Sequence, residues 1–190
     1  MDILKSKNIV RVGDITLKGK NVTSKKYVKY GRNLGFEWDD NIDKTLISKE
    51  LSIVYFIVVD SNIYKIGMTM GKGGIKSCMD FYLSAGNDDP GYNRFTINWL
   101  IRDVLKKGKK VEVYMLYEEP ITLTTKTIFT EKESKILIDA KVIERDCKDE
   151  YKNIYGNYPK WNFQERGETI DKQISDEFSE YKYNRKNIIL

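Results

Sequence analysis

The chain has no histidine among its 190 residues and two cysteines, Cys78 and Cys147. Without an imidazole there is no histidine base for a serine, cysteine or threonine hydrolase, no His-ligated zinc and no histidine axial ligand for haem. Two cysteines make neither a disulfide framework nor a four-ligand zinc site. Any general base must therefore be Tyr, Lys, Asp or Glu. Within that restricted set one pairing stands out. Tyr55 lies in an apolar run from Leu51 to Val59, and Lys65 lies in the run that follows, where Lys65-Ile66-Gly67-Met68-Thr69 stands in place of further core residues. Two more features bear on phosphate. The window from Lys18 to Arg32 carries Lys18, Lys20, Lys25, Lys26, Lys29 and Arg32 with Tyr27 and Tyr30 and no acidic residue. It reads either as a phosphate-tracking arm with aromatic stacking groups or as a solvated loop in a lysine-rich chain. Gly71-Lys72-Gly73-Gly74 lacks the full P-loop string and reads as a flexible turn, whose backbone amides, with Lys72, could touch a phosphate.

The elements that must position these residues follow from composition and periodicity. With 41% hydrophobic and 32% charged residues the chain can close a core, and its length suits one domain with decorated ends. Ile53 to Val59 is the longest apolar run, far short of a bilayer span, and the first residues lack the apolar core of a signal peptide, so a cytoplasmic protein is expected. The net charge of +5, from 33 Lys+Arg and 28 Asp+Glu, matters only where it clusters. Asn8 to Leu17 reads as a hairpin turning at Gly13-Asp14, and Leu51 to Gly67 as a second one turning at Asp60-Ser61-Asn62. Helices are expected over 75–83 and 93–107, the second with Phe95, Trp99, Leu100 and Val104 as its stripe. A strand follows at Val111 to Leu116. A Thr-rich connection then leads to a helix from about Glu131 to Tyr151, with Ile136, Ile138, Ala140 and Ile143 apolar. Residues 165–190 read as a polar amphipathic extension.

The arrangement Ile53-Val54-Tyr55, nine residues, then Lys65-Ile66-Gly67 resembles the paired signature of the GIY-YIG nuclease superfamily, with Ile and Lys at the first position of each triplet. The element order after the second triplet is similar to that family's, and the likeness runs over about residues 51–164. It implies an α/β (α+β) fold, a small three-stranded antiparallel sheet flanked by helices. Around it would lie a basic N-terminal arm (residues 1–50), with its β-hairpin, and a C-terminal extension (165–190). In the family the first tyrosine acts at the scissile phosphodiester, as general base toward water or as the group that orients it, which implies that role for Tyr55. A phenol with a pKa near 10 is a poor base at neutral pH unless a cation lies close, so Lys65 is a chemically sensible partner. Restriction endonucleases of the superfamily carry such a lysine.

The family holds one divalent metal with a glutamate on a late helix, and Ala140-Lys141-Val142-Ile143-Glu144 matches that helix, implying Glu144 as ligand to Mg²⁺ or Mn²⁺. One carboxylate with phosphate oxygens and waters suffices for such an ion. Glu131, Glu133 and Glu150 are the alternatives. A late family asparagine near the site matches Asn162, in Pro159-Lys160-Trp161-Asn162.

The chain departs from the family on the helix after the second triplet, where an arginine is expected and Lys76-Ser77-Cys78-Met79 stands. Either Lys76 substitutes, as a point charge without the bidentate fork, or Cys78 occupies the position and cleavage is impaired or lost. The resemblance thus implies a Mg²⁺-dependent, site-specific endonuclease of type II restriction type acting on double-stranded DNA. A homodimer is required if the site is palindromic. The rival is a catalytically inactive DNA-binding module on the same fold. A second rival is an interaction protein whose lysine excess is compositional.

Overall fold

The computed structural model describes residues 9–18, 34–84 and 90–188, with side chains as far as 183. Lys20, Lys25, Lys26, Lys29 and Arg32 of the basic window lie outside the described residues.

A five-stranded antiparallel sheet forms the centre of the molecule: β1 (Ile9–Leu17), β2 (Leu34–Trp38), β3 (Ser52–Val59), β4 (Asn62–Thr69) and β5 (Val111–Glu118), in spatial order β2-β1-β5-β3-β4. β3 is buried along its whole length, because the sheet is covered on both faces there. Ile53, Tyr55, Ile57 and Val59 pack with α2 (Gly74–Leu83) and α3 (Tyr92–Lys106) through Ile75, Met79, Ile97 and Ile101. Val54, Phe56 and Val58 pack with Ile143, Cys147 and Tyr151 of α4 (Ala140–Tyr155) on the other face. This explains a strand without polar alternation. The β3–β4 hairpin turns on Asp60 and Ser61 with φ of 46° and 66°, the two-residue turn whose twist matches the strands. A short α1 (Lys44–Ile47) precedes β3. α5 (Phe163–Arg166) and α6 (Lys172–Ile188) close the chain. The Phe95 side of α3 packs with Ile174, Phe178 and Tyr181 of α6, so α3 buries more than its one predicted stripe. Among the described residues no helix is long and apolar enough to cross a membrane.

The α/β class holds, and three expectations need correction. The sheet has five strands, not three, because β1 and β2 pair onto β5 and extend it. Gly13-Asp14 is not a turn. β1 runs straight through it, with a register shift against β5 between Arg11 and Gly13, and a Cβ at Gly13 would sit 2.1 Å from the Glu37 carbonyl oxygen of β2. The glycine marks a bulge and a close strand approach. The helix expected from Glu131 starts only at Ala140, where Asp139 caps it by accepting from the Lys141 amide at 2.9 Å. Upstream, β6 (Ile121–Lys126) and β7 (Glu131–Ile136) form a separate exposed hairpin. The helix-forming Glu-Lys-Glu-Ser-Lys composition of β7 is overridden by pairing with the β-branched threonines of β6.

Candidate functional site

Tyr55 points from β3 toward α2, directly across from Gly67 of β4. A Cβ at position 67 would fall 2.3 Å from the Tyr55 hydroxyl oxygen. The missing side chain is therefore what lets the phenol lie across β4 and bring its hydroxyl toward the sheet edge. There it meets the Tyr82 hydroxyl at 2.7 Å, with Cys78, one helical turn before Tyr82 on α2, beside them. Tyr55 itself is 3% exposed, and Tyr82 is the phenol that reaches the solvent-filled cleft beyond.

That cleft, about 640 Å³, is lined by Lys65, Tyr82, Glu144, Lys148, Asn162 and Glu165, among others. Lys65 stands opposite Ile57, two residues from Gly67 and on the same face as Tyr55. Glu144 and Lys148 lie one turn apart on α4, with the Lys148 ammonium 2.9 Å from Glu144 and also bonded to Glu165 of α5. Asn162 is 3% exposed, and its amide is committed to the outer edge of β4. Its oxygen accepts from the Ile66 amide at 2.9 Å and its nitrogen donates to the Ile66 carbonyl at 3.0 Å. With Trp161 donating to the Tyr64 carbonyl at 2.6 Å, this segment seals the edge strand as an added strand would.

Burial sets the protonation of the centre. Burial, reinforced by the neighbouring Tyr82, holds the Tyr55 phenol well above its usual value. Burial also pushes Tyr82 up to about 12 and the Cys78 thiol up to about 12, the latter against the opposing influence of the neighbouring Tyr55 hydroxyl and the Lys65 charge. Both phenols and the thiol are neutral at physiological pH, suited to orienting a water and not to removing its proton. Burial and then the Lys148 charge lower Lys65, opposed by Glu165 and Glu144. Burial also works against the Lys148 charge, but the bonds to Glu165 and Glu144 outweigh it and raise that pKa.

Tyr55, Lys65, Cys78, Glu144 and Asn162 are thus brought to one region. Lys76 is not: it pairs with Asp80 at 3.1 Å on the outer side of α2 and, with Lys18, lines a different groove. Lys72 is exposed on the loop before α2. Glu131 and Glu133, alternatives expected on or near the glutamate helix, sit on β7, and Glu150 is exposed on α4. The residues that motif spacing did not single out for the site are Tyr82, Lys148 and Glu165. The first two follow Cys78 and Glu144 by one helical turn, a readable signal, whereas nothing local ties Glu165 to the cleft.

Among the described residues no three His, Cys, Asp or Glu side chains cluster to hold a metal. Glu144 and Glu165 nonetheless converge on one cationic group. Two carboxylate oxygens on an open cleft are a donor set that fits Mg²⁺ or Mn²⁺, completed by water and phosphate oxygens.

No family model matches the chain, and no curated protein matches it. Among solved structures it is similar to a mutant form of bacteriophage T4 EndoII, with a TM-score of 0.49 and 17% identity over 85% of this chain and 95% of that one. It is also similar to the restriction endonuclease HPY188I in complex with product DNA, with a TM-score of 0.42 and 17% identity over 80% and 78% of the two chains.

Proposed function

We propose that this chain is a divalent-metal-dependent endonuclease of GIY-YIG type that hydrolyses phosphodiester bonds in double-stranded DNA, acting as a restriction-type enzyme. The observation that carries the reading is the convergence on one cleft edge of Tyr55, Lys65 and Glu144, which come from β3, β4 and α4. Glu144, seconded by Glu165, would hold Mg²⁺ or Mn²⁺, which when bound would supply Lewis acidity at the phosphate. The Tyr82 hydroxyl, held in place by its hydrogen bond with the buried Tyr55 hydroxyl, orients the attacking water, and Lys65 supplies positive charge beside it. The water oxygen forms the new bond to phosphorus and gives up a proton to solvent at the cleft mouth, while the P–O bond to the departing strand end breaks with its electron pair on the leaving oxygen, which takes up a proton from solvent. Lys18, Lys72 and the basic window that includes Lys20, Lys25, Lys26, Lys29 and Arg32 would track the DNA backbone. A palindromic site would be met by a two-fold homodimer.

Incubation of a mixed-sequence duplex DNA pool with the protein and Mg²⁺ at low salt tests this. Discrete fragments are expected, abolished by chelation and by Glu144→Gln. Fragments that survive both changes would count against a Glu144-held metal.

One observation favours a second reading, a DNA-binding module that no longer cleaves: the group beside Tyr55 on α2 is the neutral thiol of Cys78, not a guanidinium. That reading predicts no fragments from the natural chain and fragments from Cys78→Arg.

A further inference from the structure

Resting on the nuclease reading, the structure assigns the missing cation to α4: we propose that Lys148 occupies the metal position between Glu144 and Glu165 until a divalent ion displaces it, and then serves the scissile phosphate as the charge that α2 does not provide. Among the described residues, the cations lining the cleft are Lys65 and Lys148. Lys76 is turned away into an ion pair with Asp80, and Cys78 carries no charge at neutral pH.

The Lys148 ammonium bonds both carboxylates, and its side chain is 13% exposed against 17% for Glu144 and 28% for Glu165. All three also line a second cleft, on the Asp139–Arg145 side of α4. The bridge is thus a wall between two solvent-filled spaces, open to an incoming ion without unfolding. An ammonium between two carboxylates stands where a divalent ion would bind, so the two compete for the same oxygens.

Charge balance gives the consequence. Without metal, the charges of Glu144 and Glu165 are matched by those of Lys65 and Lys148, and this part of the cleft has little pull on a phosphate. A divalent ion on the two carboxylates frees the Lys148 ammonium, which already lies close enough to Lys65 to lower its pKa. The freed group then needs an anionic partner, and the phosphodiester is the one a nuclease brings. By linkage, metal and DNA each tighten the binding of the other.

Mn²⁺ binding to the full-length, DNA-free protein, followed by the loss of the free-ion EPR signal, tests the first step independently of cleavage. Removing the competing charge-assisted bonds in Lys148→Met should tighten Mn²⁺ binding by about tenfold. Lys152→Met makes the same charge change on the same helix, where Lys152 sits over the Tyr158 ring, and should leave Mn²⁺ affinity unchanged. Single-turnover cleavage at saturating Mn²⁺ tests the second step: it should fall by about 100-fold in Lys148→Met, the scale of losing one transition-state charge contact, and recover in part in Lys148→Arg. If Lys148→Met fails to fold by circular dichroism, Lys148→Gln makes the same comparison while keeping a hydrogen-bond donor. Unchanged or weaker Mn²⁺ binding in the folded variant overturns the displacement, and undiminished cleavage overturns the phosphate role. Failure of the natural chain to cut any duplex would instead sink the nuclease reading, with the Mn²⁺ comparison still standing on its own.

Discussion

At residue scale the site depends on a side chain that is not there. Gly67 leaves the space through which the Tyr55 ring crosses β4, and a methyl group placed there would lie 2.3 Å from the Tyr55 hydroxyl oxygen. Gly67→Ala should therefore push the phenol out of reach of Tyr82. Cleavage is expected to fall by about 100-fold, the scale of a misplacement of about 1 Å, while overpacking costs only about 1–3 kcal/mol of stability. Single-turnover rates and denaturant melts on the same preparation separate the two effects. A variant with unchanged cleavage would mean that the Tyr55–Tyr82 contact does not matter to the reaction. Tyr55, Lys65 and Glu144 were legible in the chain because triplet spacing and helix position are local patterns. Tyr82 was not legible as a site residue from the motif spacing, since its hydroxyl partner lies on a strand 27 positions earlier. The assembly of Glu165 with Glu144 through Lys148 is a purely tertiary event.

At the scale of elements, two arrangements hold the sheet in register. On the outer edge of β4, Asn162 satisfies both the amide and the carbonyl of Ile66. Asn162→Ala leaves both backbone groups buried and unpaired, at a cost of about 2–4 kcal/mol, measurable as a lower midpoint in urea; a midpoint within error of the natural chain would show that water replaces the amide. At the other end, Arg11 of β1 joins Asp39, Asp14 and Glu112 of β5. The Asn41 amide and then Arg11 hold Asp39 below its ordinary 3.8. For Glu112, burial acts upward, but the bonds from Lys110 and Arg11 prevail and bring it below its ordinary 4.5. A depressed carboxylate contributes stability above its unfolded pKa and loses it as pH falls through the folded value. The melting temperature should accordingly be flat near neutrality and drop below about pH 4. Arg11→Met should be less stable at neutral pH by about 1–2 kcal/mol given the partial exposure of the network, and its melting temperature should show a shallower acid drop, because Asn41 and Lys110 still act. An equally steep drop in the variant would remove Arg11 from the account. The β3–β4 hairpin was readable from β-branched runs around Asp60-Ser61. The β6–β7 hairpin was not, because Glu131 to Lys135 carries helix-forming residues whose fate was decided by their strand partner.

At the scale of the whole molecule, both faces of β3 are covered, α2 and α3 on one and α4 on the other. This sandwich leaves β4 as the sheet edge beside the cleft, where the candidate site groups meet. The GIY-YIG-like triplets put Tyr55 and Lys65 on adjacent strands of that edge, α4 presents Glu144 and Lys148 beside it, and the segment through Asn162 locks the edge strand from outside. The α/β class was legible from the alternation of apolar runs and periodic helices. The sheet's width was not, since β1 and β2 join it by long-range pairing with β5 that no local pattern announces.

The most direct measurement is single-turnover cleavage of duplex DNA with saturating Mg²⁺ by the natural chain and by Tyr55→Phe, which removes one oxygen and keeps the buried ring. Fragments are expected from the natural chain, with a rate lower by about 100-fold or more in the variant. Equal rates for the two proteins would contradict this reading, because the buried hydroxyl around which the whole cleft edge is built would then have no part in the reaction.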